Sequence, residues 1–381
     1  MKVLVIIPGL GGGGGSERSL LESTPGLRRE GIELVVAYFV ERPSSIREQF
    51  EDAGARFVKV DARHVPGRVK ELRRIIRRER PAVVHTILFE ADLCGRLAAI
   101  GTGVRVMNSF VSSSHDPERR SDPSYSSWRV GLVRRFEGFS ARHLQHHAHA
   151  NSETTKASAV RNLGVRPADI TVVSRSRDPG RLGEPGPERR AAVRRSLDLA
   201  DDRPVLVTVG RHEYQKGQLD LVAALPAIRA RVPDTVLLVA GRHGAMSERL
   251  AGLIASEGLG DAVRLLGPVD VVPDLLAAAD LFAFPSVLEG SPGAVIEAMA
   301  LALPIVACDI SAVRELTADC AVLVAPHSPS QLAAAIGDLL LDADAARELG
   351  GRARRRYLER FTGEDTARDM AALYRRVARG S

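Results

Sequence analysis

Phe284–Asp309 reads FPSVLEGSPGAVIEAMALALPIVACD, and this stretch decides the fold. An apolar run ends at Phe284, a loop containing Gly and Pro follows, and a helix opens near Pro292. Proline suits the first helical turn, where a missing N–H has no intrahelical partner to lose. A second apolar run, Pro304–Ala307, then returns. The two runs read as buried strands of one parallel sheet, joined by a right-handed helical crossover.

The same alternation extends outward in both directions. Upstream in the second half, Pro204–Val209, Thr235–Ala240, Ala262–Leu266 and Leu281–Phe284 read as strands, and Ala321–Val324 follows downstream. The first half repeats the pattern with Lys2–Ile7, Ile32–Val40, Arg56–Val60, Ala82–Thr86, Val104–Phe110 and Ile170–Val173. Helical periods lie between them; in Gly67–Arg80, Val69, Leu72, Ile75 and Ile76 share one face. Between the halves, Ser174–Arg190 (SRSRDPGRLGEPGPERR) has no apolar period and reads as an interdomain linker. At 381 residues, with 45% hydrophobic and only 4% aromatic content, the chain suits two α/β domains with Ala/Val/Leu/Ile cores. The expected domains are 1–180 and 191–362, each a Rossmann-like parallel sheet.

The loop after Phe284 turns free backbone N–H groups toward one point, and the helix dipole favours an anion there, for which a diphosphate is the natural candidate. Glu289 lies in that loop and Glu297 on the helix. A loop Glu can reach the sugar side of a bound diphosphate, and a helical Glu can accept from the vicinal hydroxyls of a ribose. After the first strand of the second half comes VGRHEYQKG, Val209–Gly217, which offers Arg211 and Lys216 at the carboxyl end of the sheet, where α/β proteins bind ligands. Arg can fork to phosphate oxygens and Lys adds a point charge.

These two segments, GR…KG and E-G-x-P-x-x-x-x-E, resemble those of the retaining glycosyltransferases of family four, which have the GT-B fold. The resemblance implies that Arg211 and Lys216 bind the donor diphosphate together with Gly14, Gly15, Ser291 and Gly293. It implies that Glu289 and Gly290 face the transferred sugar, that Glu297 holds the ribose, and that Gly267–Val271, with Val269, lies against the base. It further implies that the last helix, within 363–381, packs back on the first domain.

In the first half, Gly11–Gly15 follows the first strand and allows close approach of a ligand. No GK[ST] follows, so it is not a P-loop, and it is not a clean GxGxxG fingerprint; beside the other motifs it resembles the family's GG-x-E loop. His115, in a loop after a strand, matches a family position that contacts the sugar or the reacting centre. His85 is a further candidate for the acceptor side. His143, His146, His147 and His149 span a helix end and a following strand, so no zinc site is expected. Asp342-Ala343-Asp344 falls between two helical patterns and reads as a helix cap.

The resulting expectation is a hexosyltransferase that moves a sugar, with retention, from a nucleoside diphosphate sugar to an acceptor hydroxyl. Glu289, His115, Lys216 and Arg211 form the catalytic set, and no metal or other cofactor is needed. UDP is the preferred donor nucleotide and GDP the second. The acceptor is open: a natural product, a small metabolite, or a lipid met by the basic helices Gly67–Arg80 and Arg129–Arg142. Two alternatives are a sugar-nucleotide epimerase or hydrolase on the same fold, and a non-catalytic nucleotide-sugar-binding protein. The net charge of +6 suits an anionic ligand or a membrane surface. No nucleic-acid motif occurs, so no such partner is expected. The scattered Cys94, Cys308 and Cys320 read as buried thiols. With a short apolar N-terminal run and no membrane-spanning stretch, a cytoplasmic protein is expected, with peripheral contact at the inner face of the membrane as an option.

Overall fold

The computed structural model describes residues 1–11, 14–42, 46–113, 115–117, 119, 122, 126–269 and 271–380. Gly12 and Gly13 of the expected glycine loop, and Asp270 of the expected base-contacting segment, lie outside them. The chain divides into two compact units: 1–120, 124–176 and 363–381 form one, and 121–123 with 177–362 the other.

The first unit runs β1 (Lys2–Leu10), α1 (Gly15–Arg29), β2 (Glu33–Glu41), α2 (Arg47–Asp52), β3 (Arg56–Lys59), α3 (Val65–Glu79), β4 (Val83–Ile87) and α4 (Phe89–Ala99). It continues with β5 (Arg105–Phe110), α5 (Ser127–His143), β6 (His147–Ala150), α6 (Glu153–Leu163) and β7 (Ile170–Val172). Its sheet is parallel in the order β3-β2-β1-β4-β5-β6-β7. Val3, Val5 and Ile7 of β1 pack on the side of α1, whereas Leu4 and Ile6 pack on the side of α3 and α4. A strand covered on both faces needs no polar alternation, which is why β1 reads as a continuous apolar run.

The second unit runs α7 (Pro179–Leu182), α8 (Pro187–Ser196), β8 (Val205–Val209), α9 (Gln218–Arg231), β9 (Val236–Ala240), α10 (Ser247–Ser256), β10 (Val263–Gly267) and α11 (Val272–Ala277). It ends with β11 (Leu281–Phe284), α12 (Gly293–Ala300), β12 (Ile305–Cys308), α13 (Ser311–Thr317), β13 (Val322–Val324), α14 (Pro329–Leu341) and α15 (Ala343–Arg360). The sheet, again parallel, has the order β10-β9-β8-β11-β12-β13. The final helix, α16 (Gly363–Arg379), belongs to the first unit, where it packs against α1 and contributes Met370, Leu373, Tyr374 and Val377 to the core.

The segment expected as a linker is largely folded. Asp178 caps α7 by accepting from Gly180 N, and Pro179 and Pro187 stand in the first turns of α7 and α8. α7 buries Leu182 in the core, whereas α8 buries Arg194 and is held chiefly by guanidinium groups. Arg189 reaches Asp274 at 2.7 Å, and Arg194, fully buried, bonds Asp280 at 2.7 Å and the carbonyls of Ala200, Asp201 and Arg203. Apolar periodicity is blind to such anchoring. Asp342 caps α15 by accepting from Ala345 N at 2.9 Å. The three cysteines are buried and unbridged, and burial pushes the Cys308 thiol up to about 12.

Candidate functional site

In the second unit the strand order reverses between β8 and β11, so the loops leaving their carboxyl ends diverge and open a crevice. Gly217 follows the turn Tyr214–Lys216 at φ +62°, and a Cβ on it would lie 2.1 Å from the Pro285 carbonyl oxygen. Only glycine lets the two loops interlock this closely. Val287 N donates to Gln215 O at 2.9 Å, and the Gln218 side chain ties back to Gly210 O at 2.9 Å. This framework brings Lys216 Nζ into an ion pair with Glu289 Oε1, both side chains being mostly buried. The two residues are separated by 73 positions in sequence. Arg211 stands at the same edge with a half-exposed side chain, 3.5 Å from Glu213.

The turn into α12 is buried at Gly290, Ser291 and Pro292, with Pro292 extended as the N-cap and Gly293 as the first helical residue. Glu297, one turn on, is 7% exposed, and its Oε1 accepts from Arg177 Nε at 2.8 Å and from Arg181 at 2.9 Å. A Cβ on Gly293 would fall 1.8 Å from the Arg177 guanidinium, so any larger residue there must displace that side chain. The Arg177 and Arg181 guanidinium groups thus meet on the Glu297 carboxylate beside the N-terminus of α12, whose dipole favours an anion. Arg177 and Arg181 were not among the expected site residues. Their signal in sequence is only a cluster of cations 116 to 120 positions away from their partner. Val269 is half-buried against the core below β10.

In the first unit the corresponding reversal lies between β1 and β4. Gly14 caps α1 without a side chain, and Gly11 N donates to Glu17 at 3.1 Å. A Cβ on Gly15 would lie 3.2 Å from the Arg175 guanidinium, so a cation sits against the start of α1 as well. His115 lines a cavity of about 320 Å³ whose apolar wall includes Phe89, Phe110, Val130 and Leu163. Its Nε2 is 2.8 Å from Glu137 Oε2, which fixes a proton on that nitrogen. Nδ1 is buried without a hydrogen-bond partner among the described residues, leaving it available to a hydroxyl entering the cavity.

His85 is buried within a directed chain of hydrogen bonds. His149 Nε2 lies 3.0 Å from the Val173 carbonyl, which can only accept, so that nitrogen carries the proton and Nδ1 accepts from Ser109 at 2.7 Å. Ser109 in turn accepts from His85 Nε2 at 2.7 Å, and His85 Nδ1 accepts from the Tyr374 hydroxyl of α16 at 2.7 Å. Every partner is satisfied with both rings neutral. Burial, with the neighbouring His149, holds His85 down at about 3, and burial holds His149 at about 4. His146 instead accepts from Val106 N, His147 bonds Thr171, and the His143 ring lies against Phe139, so the four clustered histidines serve separate contacts. Among the described residues, no three His, Cys, Asp or Glu side chains converge as a metal site.

Two family descriptions match this chain: "Glycosyl transferases group 1" over residues 203–342 and "Glycosyl transferase 4-like domain" over residues 14–176. The chain belongs to this glycosyltransferase family. Its GT-B fold is also that of a solved Anabaena protein, Alr3699/HepE, in complex with UDP and glucose, at a TM-score of 0.83 and 20% identity over 98% of this chain and 99% of that one. A D-inositol 3-phosphate glycosyltransferase of Salinispora tropica is 32% identical over 240 residues, 59% of this chain and 50% of that protein. A GDP-mannose-dependent phosphatidylinositol monomannoside mannosyltransferase of Mycolicibacterium smegmatis is 32% identical over 208 residues, 51% of this chain and 54% of that protein. The chain thus spans about half the length of these curated relatives. No described helix is long and apolar enough to cross a membrane.

Proposed function

We propose that the chain transfers a hexose, with retention, from a nucleoside diphosphate sugar to an acceptor hydroxyl. The observation that carries this reading is the Lys216–Glu289 pair, held at the β8/β11 reversal beside the N-terminus of α12. A diphosphate entering there meets Lys216, Arg211 and the N–H groups around Ser291 and Gly293. It competes with Glu289 for Lys216, which frees the Glu289 carboxylate for the hydroxyls of the sugar. As the glycosidic bond breaks, charge builds on the leaving diphosphate, and preorganised cations and helix N–H groups stabilise it without reorganisation. These groups can supply the charge that a metal would otherwise bring, so turnover is proposed to be metal-independent.

Glu297, oriented by Arg177 and Arg181, is proposed to hold the ribose, with Val269 against the base. In the first unit, Gly14, Gly15 and His115 are proposed to serve the phosphate and sugar, and Gly290 completes the sugar contacts. UDP is the first donor to test, since a protein of the same fold binds it, and GDP the second, since a relative is named for GDP-mannose. The deciding experiment is mass spectrometry of products from UDP-, GDP-, ADP- and dTDP-sugars offered with a panel of alcohols. A glycosylated acceptor supports the reading. Conversion of the donor alone would make the chain an epimerase or hydrolase.

A further inference from the structure

α5 is apolar on two opposite faces. Gly138, Ser140 and Ala141 are buried toward the first unit, and Ser140 accepts from Arg96 of α4 at 2.7 Å. The outward face carries Trp128, Leu132, Phe136 and Phe139, which are 68%, 64%, 43% and 54% exposed. At 3.6 residues per turn these four, with His143, fall within an arc of roughly 80°. The ring of His143 lies 4.8 Å from that of Phe139 and prolongs the stripe. A helix whose second face is this apolar normally has something lying over it.

Charge identifies the cover. Arg135 and Arg142 lie within roughly 40° of the edge of the stripe, and Arg134 further round; all three are exposed. The one carboxylate of α5, Glu137, is turned inward to His115. The positive surface continues through Lys70, Arg74 and Arg77, exposed on α3, which packs on α4 as α4 packs on α5. A second copy of the chain meeting this face about a two-fold axis would set arginine against arginine with no acid on either helix to relieve it. An aromatic and aliphatic stripe bordered by arginines instead matches the interface of an anionic bilayer, where rings sit at the headgroup level and guanidinium groups pair with lipid phosphates.

From this geometry we infer that the outer face of α5 docks the first unit on an anionic membrane surface. The inference stands apart from the donor site, since every residue it uses lies outside that site. Trp128 is the single tryptophan of the chain and sits in the stripe, so its emission reports docking directly. The test adds phosphatidylcholine vesicles, with and without one third phosphatidylglycerol, to the full chain without donor. Trp128 emission is expected to shift to the blue and to be quenched by brominated acyl chains, more strongly with the anionic vesicles. Leu132→Glu/Phe136→Glu is expected to lower partition at least tenfold while leaving the thermal melt and nucleotide binding unchanged. Arg134→Ala/Arg135→Ala should lower it by roughly fivefold per arginine, on anionic vesicles only. Unshifted emission with both kinds of vesicle overturns the inference. So does a dimer in sedimentation that Leu132→Glu/Phe136→Glu disperses, which would make a second copy the cover.

Discussion

The buried histidine pair makes a quantitative demand on stability. His85 and His149 are neutral in the folded first unit, at about 3 and about 4 against an ordinary value near 6.5. The unfolded chain therefore takes up protons first as pH falls. The stabilisation is complete above about pH 6.5 and drains away below it, toward about pH 4 for His149 and about pH 3 for His85. Each pH unit in that window costs about 1.4 kcal/mol per histidine. Between pH 7 and pH 5 each ring then loses about 2 kcal/mol, and the pair about 4 kcal/mol, a large share of a typical domain's 5–15 kcal/mol. Urea unfolding followed by Trp128, which lies in the first unit, measures this at the two pH values. The control is His85→Gln/His149→Gln, in which carboxylates still titrate but the rings do not. Its loss between pH 7 and pH 5 should be smaller than the parent's by about 4 kcal/mol. An equal loss in both proteins, or ring titrations near 6.5 by NMR, would refute the closed hydrogen-bond chain.

Three further outcomes are expected at the donor site. Lys216→Ala should lower kcat about a hundredfold or more with little change in nucleoside diphosphate affinity, because its cation matters most as the diphosphate leaves; a change confined to KM would assign it to uniform binding. Glu297→Ala should weaken binding of the bare nucleoside diphosphate in calorimetry. By leaving Arg177 buried and half-paired, it should also destabilise the second unit by about 3 kcal/mol in denaturant titration. Turnover should persist in EDTA and gain nothing from added magnesium or manganese, as followed by product mass spectrometry.

The parallel strands were legible because buried parallel strands are apolar without interruption; Leu281–Phe284 stands in the structure with the bounds read from the sequence. The sequence places a strand after the helix end at the histidine cluster but not its bounds, because β6 reads HAHA and histidine reads as polar until its partners are known. In place, His149 is buried beside its alanine neighbours because Ser109 and Val173 satisfy it. The boundary between the two units falls within Ser174–Arg190, at Ser176/Arg177, and the helices that follow it leave no apolar signal, since α8 is tied down by arginines whose acids lie about ninety positions away. Lys216 and Glu289 were legible because each sits in a local motif after a strand. The arginines on Glu297 were not, because no local pattern announces a partner so distant in the chain.

The place of α16 in the chain also sets an order of events during synthesis. Arg177–Thr362 is one uninterrupted segment and can close its own core as it leaves the ribosome. The first unit, although it emerges earlier, lacks Met370, Leu373, Tyr374 and Val377 until the helix after that whole segment has been made. Its sheet must therefore wait with the face shared by α1 and α16 only partly covered and with His85 short of the Tyr374 hydroxyl. The N-terminal unit should be the last to become resistant to protease on a translating ribosome, reversing the order in which the two halves are written.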